Sequence, residues 1–273
     1  MSAHTIDQPG APPTRMTLGN AARDTAGVAK RNLLRIIRTP QLIVIGALQP
    51  AMLLVLFRYV LGGAIRLPPG VSYVNYLMAG IFVNTVAFGS FTTGVGLAED
   101  LQKGLIDRFR SLPMSRAAVL IGRTLSDLVR NVFTGAVMFA VGLLVGFDPH
   151  GGAPEIAGAV GLLLLLGFAF SWIGATIGLA VRNVEAVQSA GFIWLFPLIF
   201  ASSAFVPTSS MPAGLRAFAN NQPITHIVDA SRGWFLGTPV HSHGWIAVLW
   251  CVGIIVVFVP LSVRVYRHAA SKA

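Results

Sequence analysis

The chain has 273 residues, of which 54% are hydrophobic and only 11% are charged. Soluble globular domains carry charge on about a quarter of their residues, so this composition excludes an ordinary water-soluble fold and indicates a multi-pass membrane protein. Lysine and arginine number 20 against 10 aspartate and glutamate, and the single cysteine, Cys251, excludes a disulfide framework and a cysteine-based zinc site.

The N-terminal region divides into two parts. Residues 1–27 are polar and are predicted to form a disordered cytoplasmic segment, and residues 28–39 are predicted to form a short amphipathic helix. Arg31, Arg35 and Arg38 share one face of this helix, and apolar residues lie opposite. Two interpretations fit: a helix that lies in the membrane interface with its arginines on lipid phosphates, or a charge cluster that only sets the topology.

Long stretches without charge predict six transmembrane helices, because a helix that crosses about 30 Å of hydrocarbon needs roughly 20 apolar residues. Backbone polar groups in lipid must be satisfied within the segment, and β-barrel alternation is absent, so the predicted class is an all-α polytopic membrane protein. The transmembrane domain extends over 41–264. Its helices are predicted near 41–61, 74–97, 125–147, 156–181, 187–206 and 244–264.

Basic residues are unevenly distributed among the connections. Most of them lie before the first helix, after the second and fourth helices, and in the C-terminal tail, 265–273. The opposite connections hold only Arg66, Arg216 and Arg232, with Arg58 nearby. The positive-inside rule therefore predicts a plasma-membrane protein with both termini in the cytoplasm.

The connection after the second helix is long and amphipathic. Over 99–113, apolar residues fall on one helical face and charged residues on the other, and Pro113 ends the helix. A connection that only joined two helices would need roughly two to eight residues. Two interpretations are open on periodicity alone: a lever that docks in a groove of a cytoplasmic partner, or a helix that lies on the membrane surface. The apolar ridge consists of Leu101, Leu105, Phe109 and Leu112.

The connection after the fifth helix, 207–243, is predicted to lie outside the cell. Prolines punctuate it, and its two apolar-patterned pieces are predicted to be short helices that dip toward the outer leaflet. The region either gates the substrate or caps the protein. It also contains His241 and His243, but no third ligand accompanies them, so no metal site is predicted.

Polar residues within the predicted helices have two interpretations. Asp127 and Arg130 lie three residues apart near one helix end and are expected to pair. Hydroxyl and amide side chains elsewhere either join helices by hydrogen bonds or line a path for an amphiphilic molecule. The candidate lining residues are Asn84, Thr92, Ser171, Thr176, Gln188 and Ser202.

The sequence has no phosphate-binding loop of the Walker A type. Such a loop requires a lysine directly after glycine, and none of Lys30, Lys103 and Lys272 follows a glycine. The chain is therefore predicted not to be an enzyme and to lack an ATPase site of its own.

Several stretches resemble the permeases of ABC-2-type exporters, in particular the daunorubicin/doxorubicin-resistance branch. They are RNLLRIIRTPQL before the first helix, EDLQKGLIDRFRSLPMSRAAVLIGRTLSDLVRN after the second, and FVPTSSMP and NNQPITHIVDASRGWFLG after the fifth. In that family, an acidic-Gly-basic pattern before a Ser-[Leu/Met]-Pro turn forms the coupling helix that docks on the ATPase subunit. By position, the resemblance assigns this role to Glu99, Gly104, Arg108, Arg110 and Pro113, and it favours the lever over the surface helix.

The resemblance also implies the partners and the cargo. It implies a permease that forms a homo- or heterodimer in membrane lipid, and a separate ABC ATPase subunit that binds ATP and Mg²⁺, with no cofactor in this chain and no nucleic acid. The expected function is drug efflux: export of a hydrophobic or amphiphilic antibiotic, drug or lipid. The alternative is an ion-gradient-driven secondary transporter of small amphiphiles, but charges near the middle of the helices and an internal repeat, which would favour it, are absent.

Overall fold

A computed structural model describes residues 40–65, 67, 71–103 and 116–271 of the chain. Every secondary-structure element within these residues is helical, which confirms the predicted all-α class. In chain order, the elements are α1 (Pro40–Leu56), which continues into a π-helical turn (Phe57–Leu61), α2 (Tyr73–Gln102), α3 (Arg116–Val145), α4 (Ala153–Val181), α5 (Val184–Phe200), a 3₁₀ turn (Thr208–Ser210), α6 (Ala213–Asn221), α7 (Pro223–Leu236) and α8 (His243–Ser271).

Three predicted regions fall wholly or mainly outside the described residues. They are the N-terminal segment 1–27, the amphipathic segment 28–39 with its three arginines, and most of the coupling segment 99–113. The described part of the coupling segment, 99–103, forms the last turn of α2 and the residue that follows it.

Several helices are long and apolar enough to cross a membrane. Within the described residues there are four by length and composition: Tyr73–Gln102, Ile121–Val145, Ala153–Val181 and His243–Tyr266. The apolar helices Gly46–Val60 and Val184–Phe200 are shorter. The 17 residues of α5 measure about 26 Å, against about 30 Å of hydrocarbon. The chain is therefore a multi-pass helical membrane protein, and the count of six crossings stays a prediction.

Four helix ends differ from those predicted from the charge pattern. Helix α2 continues to Gln102 instead of ending near 97, and α3 begins at Arg116 instead of 125. Helix α5 ends at Phe200 instead of 206, and α8 continues through much of the predicted tail to Ser271. Lysine, arginine and glutamate are good helix formers, so the helical hydrogen bonding of α2, α3 and α8 can continue where an apolar stretch stops.

Helix α2 occupies the centre of the bundle. Its apolar window is 78% buried, whereas the windows of α3 and α8 are only 22% and 17% buried. It packs most extensively against α4 and also contacts α1, α3, α5 and α7. Leu77, Met78 and Ile81 of α2 are completely buried in the main apolar core. Any change in the arrangement of the helices must therefore be accommodated around α2.

Three glycines bring the backbones of α2 and α4 into direct contact. A Cβ atom at Gly94 would overlap the carbonyl of Gly174, and one at Gly178 would overlap the carbonyl of Gly94. Gly174 and Gly178 lie four residues apart on one face of α4, a spacing that lets transmembrane helices approach closely. Gly94, Gly174 and Gly178 are called the α2–α4 glycine interface below.

The connection predicted to lie outside forms a helical hairpin, α6–α7, that packs into the bundle. Helix α7 contacts α2, α4 and α8. It ends at Gly237, whose φ of 65° is in the left-handed region that glycine adopts without strain. The turn between α5 and this hairpin packs on α2, where a Cβ atom at Gly80 would overlap the carbonyl of Ala204. The hairpin is thus an integral part of the bundle.

Candidate functional site

The C-terminal end of α2 carries the first residues of the predicted coupling segment. Glu99 is exposed, and its Oε2 lies 3.6 Å from Lys103 Nζ. Leu101 is partly buried against a cluster that includes Trp172 and Tyr266 and joins α2, α4 and α8. The first residue of the predicted apolar ridge is thereby tied to the bundle. The other predicted coupling residues lie outside the described residues: Gly104, Leu105, Arg108, Phe109, Arg110, Leu112 and Pro113.

Polar side chains connect α2 and α3 near this end. Arg123 on α3 forms an ion pair with Asp100 on α2. One turn further along α3, Asp127 Oδ2 accepts a hydrogen bond of 2.5 Å from the Thr93 hydroxyl. Arg130 Nη2 lies 3.4 Å from Asp127 Oδ1, so the ion pair expected from their spacing forms. Asp127 therefore interacts with its own helix and with α2.

Two further side chains of α3 continue this contact deeper into the bundle. Arg130 Nη2 donates to the Gly89 carbonyl at 2.6 Å and also to Thr92 Oγ1. Asn131 Nδ2 donates to Ser90 Oγ at 2.8 Å. Sequence analysis recognised the pairing within α3, but these partners on α2 could not be identified because spacing along one helix does not reveal which helix it faces.

Small residues on α2 make room for this contact, which is largely buried. A Cβ atom at Gly89 would lie 2.5 Å from Asn131 Oδ1, and one at Gly96 would overlap the Arg123 guanidinium. The Asp127 side chain is only 14% exposed. The residues that form this α2–α3 polar interface are Ser90, Thr93 and Asp100 on α2, and Arg123, Asp127, Arg130 and Asn131 on α3.

The α2–α3 polar interface fixes the register of the two helices. Toward the other end of the same pair of helices the contact is apolar, with the rings of Phe82 and Phe139 at 6.2 Å between centroids. Interhelical hydrogen bonds in membranes contribute about 0.6 kcal/mol each on average, and at most about 2 kcal/mol. Each bond contributes only a small free energy. All donors of the α2–α3 polar interface face their acceptors, however, at only one position of α3 along α2.

The predicted lining residues occupy different parts of the bundle. Ser171, Thr176 and Ser202 are buried, and each donates to a carbonyl three or four residues earlier in the chain. The Thr176 hydroxyl also shares a hydrogen bond of 2.6 Å with Ser262 on α8. These contacts satisfy the hydroxyl groups within the protein, and the Thr176–Ser262 bond joins two helices.

Of the remaining three, two are exposed and one is buried. Thr92 on α2 is exposed and accepts a hydrogen bond from Arg130 of the α2–α3 polar interface, and Gln188 is exposed on α5. Asn84 is 1% exposed in α2, and its Nδ2 has no hydrogen-bond partner within the described part of the chain. A path for cargo along these residues stays a prediction.

Arg232 on α7 anchors the hairpin to the rest of the bundle. Its Nη1 donates to Asp229 Oδ1 at 2.6 Å, its Nε to the Tyr76 carbonyl at 3.0 Å, and its Nη2 to the Ser203 carbonyl at 2.7 Å. The guanidinium carbon lies 3.7 Å from the centroid of the Tyr76 ring, which adds a cation–π contact. One arginine thus joins α7, α2 and the turn after α5.

Two histidines meet between α7 and α8. Nδ1 of His226 lies 3.0 Å from Nδ1 of His243, so the N–H of one ring donates a hydrogen bond to the other ring. Burial, followed by the neighbouring His243, lowers the pKa of His226, and Asp229 acts in the opposite direction. The described residues contain no group of three or more metal-ligating side chains, and the pair is therefore interpreted as a hydrogen bond.

These features define a multi-pass helical membrane protein built around one central, buried helix. Residues 25–236 match the family model described as ABC-2 type transporter. The chain belongs to this ABC-2 family, which confirms the resemblance seen in the sequence, and it is a permease component of an ABC transporter.

Individual relatives cover most of the chain. The daunorubicin resistance ABC transporter permease protein DrrB1 of Streptomyces coeruleorubidus is 36% identical over 81% of this chain and 78% of its own length. The probable doxorubicin resistance ABC transporter permease protein DrrC of Mycobacterium tuberculosis is 30% identical over 84% of this chain and 83% of its own. The putative transport permease ycf38 of Pyropia yezoensis is 25% identical over 74% and 70%, respectively.

Proposed function

We propose that this ABC-2 permease exports a hydrophobic or amphiphilic molecule, using energy supplied by a separate ATPase subunit. Two similar proteins are named for resistance to daunorubicin and doxorubicin, which supports a drug or antibiotic as the class of cargo. The observation that carries the proposal is the geometry around the segment 104–115. Helix α2 ends just before this segment and α3 begins just after it, and the α2–α3 polar interface joins the two helices near those ends.

The segment between α2 and α3 is proposed to be the coupling element. Its apolar ridge at Leu105, Phe109 and Leu112 docks in a groove of the ATPase subunit, while Glu99 and Arg108 provide charged contacts at the edge. Movement of the ATPase then shifts the segment and biases the permease between inward-open and outward-open states.

ATP and Mg²⁺ are proposed to bind only to the partner subunit. No lysine of this chain follows a glycine, so the sequence lacks the loop that holds nucleotide phosphates in such ATPases. Purified permease alone is therefore expected to show no ATP hydrolysis.

The proposed complex contains two permeases, each with six crossings and both termini in the cytoplasm. The excess of basic residues at the termini and in the α2–α3 connection supports this orientation. The short length of α5 supports an arrangement in which a partner, rather than lipid alone, covers part of this helix.

The coupling role is tested by co-purification and export assays with Phe109→Ala. An apolar anchor at the centre of an interface contributes about 2 kcal/mol or more, so the affinity of tagged permease for its ABC ATPase should fall roughly 30-fold or more. ATP-dependent export should fall with it. Membrane insertion should be unchanged, because the segment lies between two membrane helices.

Two variants elsewhere in the chain serve as controls. Phe218→Ala truncates an exposed phenylalanine on α6 by the same number of atoms, and it should leave association unchanged. Glu185→Lys on α5 is the control for Glu99→Lys, since both glutamates are exposed near a helix end. Normal association and export in both Phe109→Ala and Glu99→Lys would contradict the proposed coupling element.

A further inference from the structure

Charged and amide side chains are concentrated in one half of the α2–α3 contact, and the proposed function of the coupling segment does not by itself explain them. Placing an ionised side chain in a membrane helix is energetically costly. Helix α3 carries Arg123, Asp127 and Arg130 within the apolar helix Ile121–Val145. In the Phe82–Phe139 half, the same two helices pack through apolar side chains. The polar half of the α2–α3 contact therefore has a role other than holding the two helices together.

The polar contacts begin at the coupling segment and extend into the bundle. The first pair, Asp100 with Arg123, lies within one to two turns of the helix ends that flank residues 104–115. The last pair, Ser90 with Asn131, lies eight residues further along α3, about 12 Å deeper. Polar contacts thus join the ends of α2 and α3 that flank the segment, over a length of about 12 Å.

Helix α3 contacts α1 and α4 as well as α2, but it is much less buried than α2. Only 22% of its apolar window is buried, against 78% for α2. A force applied at Arg116 would therefore slide α3 along α2 unless directional bonds opposed it. Helix α2, in turn, is held to α4 by the α2–α4 glycine interface, where the backbones touch. A force applied to the segment then reaches α2, α3 and α4 together.

We propose that the α2–α3 polar interface clamps α2 and α3 in one register, so that the segment between them moves both helices as a single rigid unit. Asp127 is its main positioning residue, because it binds Thr93 on α2 and Arg130 on its own helix. The inference rests on the proposed function of the segment. In this proposal, the α2–α3 polar interface transmits force from the segment to the helices. It has no role in ATP hydrolysis, ATPase association or cargo binding.

The test replaces one pair of the polar interface by a removable covalent bridge. The double variant Thr93→Cys/Asp127→Cys is made in a Cys251→Ala background, which removes the single native cysteine. In the assembled complex, the unbridged variant should transport about tenfold less cargo per ATP hydrolysed, because the bond between positions 93 and 127 is lost. A short bis-methanethiosulfonate joins the two thiols through two mixed disulfides, with release of two methanesulfinate groups, and it should restore the ratio. A reducing agent cleaves these disulfides and should abolish the restored coupling.

A purely structural role predicts different results, because loss of folding lowers complex yield and ATP hydrolysis together with transport. ATPase association and hydrolysis are therefore measured for each sample, along with Asp127→Leu, which keeps the approximate side-chain shape but accepts no hydrogen bond, and Asp148→Leu, an exposed control outside the helices. Unchanged coupling in Asp127→Leu, or a bridge that blocks transport instead of restoring it, would overturn the rigid unit. Failure of the wild-type complex to transport with ATP would instead contradict the proposed function.

Discussion

Helix α2 meets its two largest neighbours in opposite ways. Toward α4 it presents Gly94, and the two backbones touch over Gly174 and Gly178. Toward α3 it uses Gly89 and Gly96 to make space for side chains, and the contact consists of hydrogen bonds and ion pairs. Glycine thus has two roles on one helix: it removes atoms between backbones on one face, and it makes room for polar groups on the other.

The difference shows that two kinds of contact determine two different aspects of how helices are placed. Direct backbone contact depends on van der Waals packing, which is lost when an atom is inserted. Hydrogen bonds depend on direction, and a shift of α3 by one turn would leave every donor of the α2–α3 polar interface without its acceptor. The first contact sets the distance between helices, and the second sets their register.

The largest effect is expected from Gly178→Ala. The new Cβ would overlap the Gly94 carbonyl, so α4 must move away from α2 along a buried contact. Overpacking of this kind costs about 1–3 kcal/mol or more, and we expect a clear fall in the thermal stability of the purified protein. Gly161→Ala on the same helix has nothing within 4 Å and should be neutral or slightly stabilising. Equal stability of the two variants would show that the backbones do not touch.

A smaller effect is expected in the α2–α3 polar interface. Ser90→Ala, Asn131→Leu and the double variant form a thermodynamic cycle for a pair whose Nδ2–Oγ distance is 2.8 Å. The interaction energy should lie near 0.6 kcal/mol and not exceed about 2 kcal/mol. It is measured from the unfolding of the three variants and the wild type in mixed micelles. If the changes in unfolding free energy of the two single variants add up to that of the double variant, Ser90 and Asn131 do not interact and do not contribute to the register.

The smallest effect is a dependence of stability on pH at the α7–α8 contact, away from both faces of α2. Burial and His243 lower the pKa of His226 in the folded protein, so the unfolded chain binds the proton more readily. The free energy of unfolding should therefore fall as the pH drops from about 7 through the ordinary histidine range and below. His243→Gln should weaken this dependence, which melting curves at several pH values would reveal. An unchanged dependence in the variant would exclude the histidine pair as its source.

Composition and charge were sufficient to predict the class of fold and the approximate helix positions, because lipid permits few alternatives for an uncharged stretch. They failed at the helix ends near Gln102 and Arg116, since backbone hydrogen bonding does not require apolar side chains. The glycine interface had a recognisable signal in the spacing of Gly174 and Gly178. The contact between Asp127 and Thr93 had no signal in the sequence, because the two residues lie 34 positions apart in the chain and only helix packing brings them together.

The length of α2 determines how far from the lipid a partner protein can bind the permease. Its 30 residues extend about 45 Å, whereas the hydrocarbon layer is about 30 Å thick and the whole bilayer about 40–45 Å. If Tyr73 marks the outer edge of the hydrocarbon, the other end of α2 lies about 15 Å past the inner edge of the hydrocarbon, and therefore beyond the headgroup layer. A subunit that binds beyond Lys103 would then meet the permease in water, and the charge of the surrounding lipid headgroups should affect its affinity only weakly.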